Sequence, residues 1–395
     1  MDSQFFITVG PGLETLALSE LESKWKTLYP TIEFPVCKIV KGGINLTCDY
    51  SLGVSLNYFL KIPTRILLRI DEFKARDFPK LYNKIRKFNW RPYLKNENFE
   101  LKVTCHKSRL NLTKKIEKTI RDGISTYFKA QPAKKKDLEF KHKTIELTLH
   151  FLFDNDNCLI SIDTSGYQLN KRGYKTFNSE ASIRETYASA MNLKLEQLLK
   201  KESLPTLPYL IDPMAGSGTL LFESALFNFI NPKQEFAFQF FNLKSNFDIA
   251  SLSLTQKPIY AGFQGSDQDE KNIKACESNL ANIEKLTSIA PMSFKVLDLF
   301  KLKKTDLPSR ELVFIFNPPY GKRLALGENF DPRFYQKTLE YIMKHFTPLF
   351  IGILVPTEAN LHQLKLKTDH KFNLIDRLNF KNGAIPVTFY VWKKA

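Results

Sequence analysis

The sequence predicts an α/β protein in which an N-terminal α+β region precedes a doubly wound parallel sheet. Three observations support this prediction. From residue 209 onward the strand-like segments are continuous apolar runs, which are typical of parallel strands buried on both faces. Segments of helical character separate these runs, as in βαβ units. Before residue 165, shorter helices and strands alternate around turn-forming residues, which indicates a separate module.

Length and charge set the domain count and the class of partner. A chain of 395 residues with 43% hydrophobic residues is long enough for two or three domains. We place them at residues 1–54, a small ferredoxin-like α+β domain, and at 55–164 and 165–395. The net charge of +17 is concentrated in residues 1–150, with 28 basic and 16 acidic side chains. This excess favours nucleic acid over an acidic protein or a membrane, although lysine-rich proteins also carry solvated basic surfaces.

The cysteines and the first residues bear on the cellular compartment. Five widely spaced cysteines form no Cys-x-x-Cys pair, so we expect reduced thiols and no metal site. The start MDSQFFITVGPGLE lacks the pattern of a signal peptide, and no apolar run approaches the length of a membrane span. We therefore expect a cytoplasmic protein that does not bind membranes. We take it to be a monomer, although the sequence does not reveal the oligomeric state.

The N-terminal region predicts a small set of helices and strands. A strand near Phe5–Val9 precedes a helix over residues 12–29, whose apolar positions follow helical spacing. The next elements, in order, are Phe78–Phe88 (helix), Phe99–Thr104 (strand), Thr113–Phe128 (helix), Ile145–Phe153 (strand) and Leu159–Ile162 (strand).

Two basic clusters in this region are candidate polyanion contacts. Lys107, Ser108 and Arg109 lie between a predicted strand and a predicted helix. The second cluster lies in a proline-containing loop and comprises Lys134, Lys135 and Lys136. A charged loop is often only solvated, so the lysine cluster is the weaker of the two.

The C-terminal region predicts the strands of the parallel sheet and a closing pair. In order these are Tyr209–Ile211, Ile259–Gly265, Phe294–Leu297, Leu312–Phe316, Phe350–Val355, and the pair near Phe372–Phe380 and Val387–Trp392.

A glycine-containing turn joins the first of these strands to a helix. Gly216 and Gly218 permit positive φ and close approach of the backbone to a ligand, and the Asp212 carboxylate suits a cationic one. The turn has neither the third glycine of a dinucleotide site nor the lysine of a P-loop. Alone, such a turn caps a helix about as often as it binds a cofactor. The candidate cofactor residues are Asp212, Pro213, Ala215, Gly216, Ser217, Gly218 and Thr219.

Acidic residues end the next two strands. Asp267 is placed to accept the two ribose hydroxyls of a nucleoside, although it or Asp269 could instead cap the helix near Lys271. Asp298 is placed to accept an adenine amino group, with Leu299 and Phe300 packing on the ring. Open parallel sheets bind ligands at these carboxyl ends, so the acidic residues strengthen the cofactor interpretation.

The sequence Asn317-Pro318-Pro319-Tyr320 directly follows the apolar strand Leu312–Phe316. Two consecutive prolines cannot continue a central strand, so the chain leaves the sheet in a rigid turn. The Asn317 side-chain oxygen and the Pro318 carbonyl can each accept one hydrogen of an amino group. The lone pair of a base amino group is delocalised into the ring, so the amine attacks a methyl sulfonium poorly until two such acceptors draw its nitrogen toward sp³ geometry. Tyr320 can stack on the same base. An isolated Pro-Pro-Tyr is often only a turn, but its position after the glycine loop favours the catalytic interpretation.

These motifs resemble the amino-methyltransferases of structured RNA. More narrowly, Ser165–Tyr174 and Ile183–Thr186 resemble the bacterial 23S rRNA guanine-N2 methyltransferases that carry a THUMP domain. The resemblance extends over nearly the whole chain. It departs from many relatives at Ala215, where they have Cys, and at Asn170, where they have His, which weakens the subfamily assignment more than the activity.

This resemblance implies a Rossmann-like domain that binds S-adenosylmethionine (AdoMet), preceded by a THUMP-type RNA-binding region. AdoMet would lie against the loop and acidic residues named above and Asn317, and the target base against Asn317, Pro318, Pro319 and Tyr320. Lys171 and Arg172 become candidate RNA contacts. The segment Lys171–Tyr174 could contact AdoMet or RNA or simply join the domains, and we favour packing beside the cofactor together with linkage. The implied substrate is guanine N2 of 23S rRNA.

Three alternatives stay open at this stage. A tRNA guanine-N2 methyltransferase would carry closely related motifs. A DNA adenine-N6 methyltransferase shares the Asn-Pro-Pro-Tyr chemistry but would normally add a target-recognition region for duplex DNA. An RNA-binding assembly factor could keep the fold without activity, and it predicts a degraded cofactor loop, which this sequence does not have.

Overall fold

The computed structural model describes residues 2–131, 145, 147–176, 183–249, 252, 254, 258–320, 332–361 and 371–395. The chain divides into two compact units. Unit 1 comprises Met1–Val9, Tyr29–Leu169 and Asn231–Leu252, and unit 2 comprises Gly10–Leu28, Asn170–Ile230 and Ser253–Ala395. Each unit is therefore assembled from three separate stretches of the sequence.

The helices and strands are given in chain order. They are β1 (Asp2–Thr8), α1 (Glu14–Leu28), β2 (Val36–Val40), β3 (Gly43–Asp49), α2 (Tyr50–Phe59), β4 (Arg65–Lys74), α3 (Phe78–Lys87), β5 (Glu100–His106), α4 (Thr113–Ala130), β6 (Thr148–Asp154), β7 (Asn157–Asp163), α5 (Glu185–Leu199), β8 (Tyr209–Asp212), α6 (Thr219–Ala225), β9 (Gly262–Asp267), α7 (Glu270–Glu284), β10 (Met292–Val296), β11 (Leu312–Phe316), α8 (Pro332–Phe346), β12 (Phe350–Pro356), β13 (Phe372–Asn382) and β14 (Ile385–Lys394).

Unit 1 is built on a seven-stranded sheet in the order β2-β3-β1-β4-β7-β6-β5. Neighbouring strands are antiparallel, except that β5 runs parallel to β6. Strands from the predicted domains 1–54 and 55–164 share this sheet, and the boundaries at residues 54 and 164 stay predictions. Helices α3 and α4 pack closely at Gly123. A Cβ at this position would lie only 2.8 Å from the Ile85 side chain, so the close approach requires glycine.

Unit 2 is built on a seven-stranded sheet in the order β10-β9-β8-β11-β12-β14-β13. Strands β8 to β12 are parallel, whereas β14 is antiparallel to both β12 and β13. Every residue of β11 and of β12 is buried, as their continuous apolar runs predict. The predicted α/β class with a parallel, Rossmann-like sheet and a closing antiparallel pair is confirmed.

The order of the parallel strands reverses between β8 and β11. Starting from β8, the chain adds β9 and β10 on one side and then returns to place β11 and β12 on the other side. The two loops that leave β8 and β11 therefore diverge and open a crevice at their carboxyl ends. Ligands of open α/β sheets bind at such a switch point.

Helix α1 lies in unit 2 although it begins near the N-terminus. Its Lys24 is 1% exposed and pairs with Glu20 at 2.6 Å. The same ammonium group donates to the carbonyl of Phe227 at 2.9 Å, just beyond α6. Burial lowers the pKa of Lys24, and the charge of Glu20 opposes that shift. The ion pair lies within α1, and the hydrogen bond from Lys24 to the Phe227 carbonyl joins this helix to the C-terminal part of the chain.

In the part of the chain that the structure describes, no helix is both long and apolar enough to cross a bilayer.

Candidate active site

A cavity of about 950 Å³ opens at the carboxyl ends of the parallel strands in unit 2. It gathers residues from the loops after β8, β9, β10 and β11, together with the start of α7 and Phe334 of α8. Its volume is in the range of small-molecule and cofactor sites. Among the sequence-predicted cofactor residues, its walls include Asp212, Pro213, Ala215, Gly216, Ser217, Thr219, Asp267, Asp298, Leu299 and Asn317.

The loop after β8 adopts the tight turn that its glycines predict. Gly216 and Gly218 have φ of +53° and +79°. A Cβ at Gly218 would lie 2.5 Å from the Phe222 ring, so this position needs glycine for both its space and its backbone conformation. The Ala215 amide donates to the Ser266 carbonyl at 2.9 Å, which ties the turn to the end of β9. Gly218 precedes α6 as its N-cap and is not part of the cavity wall.

Asp267 braces the glycine loop through its carboxylate. Its Oδ2 accepts from the Gly216 amide and its Oδ1 from the Asp269 amide, both at 2.9 Å. Each carboxylate oxygen can accept a further hydrogen bond, which leaves capacity for two hydroxyl donors on the cavity side. Asp269, rather than Asp267, caps α7 by accepting from the Lys271 amide at 2.9 Å. The capping alternative therefore applies to Asp269 and leaves Asp267 available for a ligand.

Asp298 begins a short 3₁₀ turn beside the cavity. Its Oδ1 accepts from the Phe300 amide at 2.7 Å, and Leu299 between them is 3% exposed. Phe300 is 42% exposed and also lines the cavity. The hydroxyl of Tyr341 donates to the Phe300 carbonyl at 3.0 Å and fixes this turn. The turn presents one carboxylate and one aromatic ring, which suits a flat heterocycle with an amino group.

The acidic groups make the cavity favourable for a cation. Asp212 is 1% exposed, and burial, followed by the charge of Asp267, raises its pKa well above the ordinary value. The Met214 amide donates to Asp212 Oδ1 at 3.1 Å and opposes that shift. A bound cation would stabilise the ionised Asp212, because opposite charge favours the charged form. AdoMet carries a sulfonium, an ammonium, a ribose and an adenine, so the donor and acceptor set of this cavity fits it.

Asn317 contributes an unpartnered acceptor to the same cavity. Among the described residues, its Oδ1 is buried and has no hydrogen-bond partner. A buried polar atom without a partner costs about 1–3 kcal/mol, so such atoms mark positions where a ligand or water belongs. Pro318 and Pro319 also line the cavity, and the Pro319 carbonyl accepts from Tyr335 Oη at 3.1 Å. The two prolines and this hydrogen bond hold Asn317 in a rigid turn.

Tyr320 lies behind that turn. Its side chain is 2% exposed, and its hydroxyl accepts from Asn382 Nδ2 at 2.6 Å. It is not part of the cavity wall, and its predicted stacking on a base stays a prediction. The aromatic ring that does line the cavity on this side belongs to Phe334, which the sequence reasoning missed. Phe334 lies 15 residues beyond Pro319, and its local sequence carries no motif that points to a site.

The first candidate RNA cluster lies on a fixed loop of unit 1. Lys107 is exposed and has φ of +44°. Asp156 holds its two neighbours: Ser108 Oγ accepts from the Asp156 amide at 3.0 Å, and the Arg109 amide donates to Asp156 Oδ1 at 2.8 Å. The Arg109 side chain is 71% exposed. The loop therefore presents Lys107 and Arg109 to solvent on a defined backbone.

The remaining candidate RNA residues differ in their surroundings. Lys134, Lys135 and Lys136 lie outside the described residues. Lys171 is exposed, whereas the Arg172 side chain is 10% exposed and forms an ion pair with the buried Glu223 in unit 2. The Arg172 guanidinium therefore pairs with a residue inside unit 2, whereas an RNA contact requires a side chain at the surface.

Comparisons with known proteins identify methyltransferases. The family model described as "RMKL-like, methyltransferase domain" matches residues 172–374. A candidate RNA methyltransferase of Synechocystis sp. is 27% identical to this chain, over 97% of the chain and 95% of its own length. The ribosomal RNA large subunit methyltransferase K/L of Colwellia psychrerythraea is 26% identical, over 97% of this chain and 52% of its own length. The chain thus spans about half the length of that relative.

A solved structure shares the fold over nearly the full length. SMU.472, a candidate methyltransferase crystallised with S-adenosylhomocysteine (SAH), aligns with a TM-score of 0.72 at 22% identity. The alignment covers 99% of this chain and 97% of SMU.472. The family match spans more than half of the 395 residues and contains the glycine loop, the acidic strand ends and the Asn317 turn. On this evidence the chain belongs to the family of RMKL-like methyltransferase domains.

Proposed function

We propose that this protein transfers a methyl group from AdoMet to the exocyclic N2 of a guanosine in structured RNA, with 23S rRNA as the first candidate. One observation carries the proposal: the buried Oδ1 of Asn317 has no partner among the described residues and lies in the wall of an acidic, cofactor-sized cavity. An acceptor in that position serves a ligand that donates N–H.

The cofactor is assigned to the acidic part of the cavity. When bound, AdoMet supplies an electrophilic methyl group on a cationic sulfur, and the thioether leaves with the bonding electron pair. Asp212 would provide negative charge for the cationic part, and Asp267 would accept from the ribose hydroxyls. Asp298 would accept from the adenine amino group, and Leu299 and Phe300 would hold the ring. The SAH bound to SMU.472, which shares this fold, supports a nucleoside ligand here.

The target amine is assigned to the Asn317 turn. The N2 lone pair of guanine is delocalised into the ring, so the amine is a poor nucleophile while it stays planar. Asn317 Oδ1 accepts one N–H and the Pro318 carbonyl accepts the other, which favours the pyramidal nitrogen of the transition state. The rigid turn keeps these acceptors in place before the substrate arrives, and the proton lost from N2 passes to water.

An RNA substrate is supported by the relatives and by the charge of unit 1. The Synechocystis and Colwellia proteins are named for RNA and ribosomal RNA methylation. In unit 1, α3 carries four basic residues and no acidic residue, and α4 adds five basic and two acidic ones. Those with exposed side chains are Lys80, Lys84, Arg86, Lys87, Lys114, Lys115, Lys118, Arg121 and Lys129. We assign residues 55–164, a THUMP-type domain in this proposal, to RNA binding through this face and the Lys107 loop.

A substrate panel tests the proposal. Purified protein and tritiated AdoMet are incubated with rRNA, tRNA and duplex DNA from cells that lack the gene, and labelled nucleosides are identified by mass spectrometry. We expect N2-methylguanosine in the large-subunit rRNA. Label confined to tRNA would move the substrate to tRNA, and N6-methyladenine confined to DNA would overturn the substrate class. Binding of SAH without methylation of any of these would overturn the activity.

A further inference from the structure

Two residues of the segment Arg172–Thr176, called the link segment here, converge on a buried carboxylate of α6. Glu223 is 1% exposed. Its Oε1 accepts from Tyr174 Oη at 2.8 Å, and its Oε2 lies 3.3 Å from Arg172 Nε. Ser189 of α5 donates to the same Oε2 at 2.7 Å. Because a buried carboxylate needs such partners, these contacts hold the link segment against α6.

The other side of the link segment is held by α7. The Thr176 amide donates to Asn279 Oδ1 at 3.1 Å, and Asn282 Nδ2 donates to the Tyr174 carbonyl at 3.1 Å. Asn279 is fully buried and Tyr174 is 1% exposed. The link segment is therefore held between α6 and α7 by hydrogen bonds, and Asn279 and Tyr174 are the members of this set on the α7 side that are removed from water.

The same two helices hold the glycine loop of the cofactor cavity. Asn279 Nδ2 donates to the Ser217 carbonyl at 3.3 Å, and the Cys276 thiol donates to the Gly216 carbonyl at 3.2 Å. Helix α6 begins directly after Gly218. Asn279 thus joins the link segment to the loop, and Ile183, seven residues after the link segment, lines the cavity itself.

We infer that Glu223 is a positioning residue for the methyl donor. It neutralises Arg172 and orients Tyr174 through a hydrogen bond, which places the link segment between α6 and α7 and thereby fixes the backbone of the glycine loop. The inference rests on the proposed function, because it takes the cavity to hold AdoMet. It assigns Arg172 to the cofactor side of unit 2 in place of the RNA surface.

The test compares ligand binding with catalysis in the full-length protein. Glu223→Gln keeps the shape of the side chain but removes the charge that Arg172 and two hydroxyl donors face. We expect the Kd for SAH, measured by calorimetry, and the KM for AdoMet to rise about tenfold, as loss of one charge-assisted hydrogen bond implies. We expect kcat at saturating AdoMet and the KM for RNA to stay within about twofold of wild type.

A matched control and a milder variant complete the test. Glu202→Gln removes a partly exposed ion pair to Lys393, near the end of β14, in which the charged atoms lie 2.8 Å apart. We expect this control variant to bind SAH with the wild-type Kd. Tyr174→Phe removes a single hydrogen bond to Glu223 while the ring keeps its edge contact with Phe222. We expect it to raise the Kd for SAH about threefold, and it carries the test if Glu223→Gln does not fold.

Two results would overturn the inference. One is a wild-type Kd for SAH in every folded variant of Glu223 and Tyr174. The other is an Arg172→Gln protein in which the KM for RNA rises while the Kd for SAH stays constant, since Arg172 would then act on RNA. If the wild-type protein itself bound no SAH, the proposed function would fail together with this inference. Unchanged variants of a protein that does bind SAH defeat the inference alone.

Discussion

Replacement of Asn317 by Ala separates the proposed catalytic role of this side chain from any structural one. The side chain lies in a turn that Pro318 and Pro319 already make rigid, so the backbone does not depend on it. Its Oδ1 is buried and has no partner among the described residues. The substitution therefore removes an acceptor that the protein itself leaves unused.

The structure sets the expected size of both effects. Loss of one preorganised hydrogen-bonding group aimed at the reacting centre lowers kcat about 10²–10³-fold, or about 2.7–4 kcal/mol of transition-state stabilisation. The free energy of unfolding should not fall in the same way, because an unsatisfied buried oxygen costs about 1–3 kcal/mol and the substitution removes that oxygen. Lost packing of the shortened side chain offsets part of this gain. We expect the free energy of unfolding to stay equal to the wild-type value or to exceed it by about 1 kcal/mol.

The assay measures both quantities on the same preparations. Single-turnover methylation with saturating AdoMet gives the chemical step, and urea unfolding gives stability. Asn373→Ala is the matched control, because Asn373 is exposed on β13. That variant should keep wild-type activity and stability.

Either of two outcomes would refute this reasoning. An Asn317→Ala protein that retains methylation within about twofold would show that its oxygen does not act on the amine. A clear loss of stability would show that Asn317 has a structural partner. The combination of slow chemistry with undiminished stability is expected only for an acceptor reserved for substrate.

Three further predictions concern the loop, the charge and the RNA surface. Gly218→Ala places a Cβ at a position with positive φ and against the Phe222 ring, so we expect it to lower the free energy of unfolding, measured by urea titration, by about 2 kcal/mol or more. The control is Gly383→Ala, because Gly383 has φ of +64° but no atom within 4 Å of the new Cβ, and we expect this variant to lose only about 1 kcal/mol. Burial raises the pKa of Asp212, so the Asp212 carboxyl of the folded protein stays protonated over a pH range in which that of the unfolded chain is already ionised. The contribution of Asp212 to the free energy of unfolding therefore falls as pH rises through that range. Asp212→Asn should therefore raise the free energy of unfolding more at pH 8 than at pH 5, and it should weaken AdoMet binding. An equal rise at both pH values would contradict the raised pKa of Asp212. Lys118→Ala on α4 should weaken RNA binding and reduce the slope of log Kd against log salt by about 1 without a change in SAH affinity, and an unchanged slope would remove this lysine from the RNA surface.

The sequence by itself determined most of the parallel sheet and the position of the glycine loop. Strands such as Leu312–Phe316 are apolar throughout, and a run that short and uniform indicates a strand buried on both faces. The turns at Gly216 and Pro318 follow from residues whose backbone preferences are local. Because strand ends of a parallel sheet meet at one edge, the motifs placed Asp212, Asp267 and Asn317 together without coordinates.

Some helices were not evident from the sequence because they are buried on nearly every side. Most positions of α2 and of α5 are buried, so neither shows the polar face that marks an amphipathic helix. The hairpin of β2 and β3 and the strand β4 were also missed.

Only the tertiary structure decided which distant residues share a wall or a buried partner. Phe334 reaches the cavity from α8, and Tyr320, which the motif placed on the base, turns its side chain into the protein. For Arg172 the sequence left RNA contact, cofactor-side packing and linkage open, and only the structure shows that its partner is the carboxylate of Glu223, 51 residues later. Backbone preferences and hydrophobic period are carried by neighbouring residues, whereas burial and charge pairing depend on residues that the folded chain brings together from far apart.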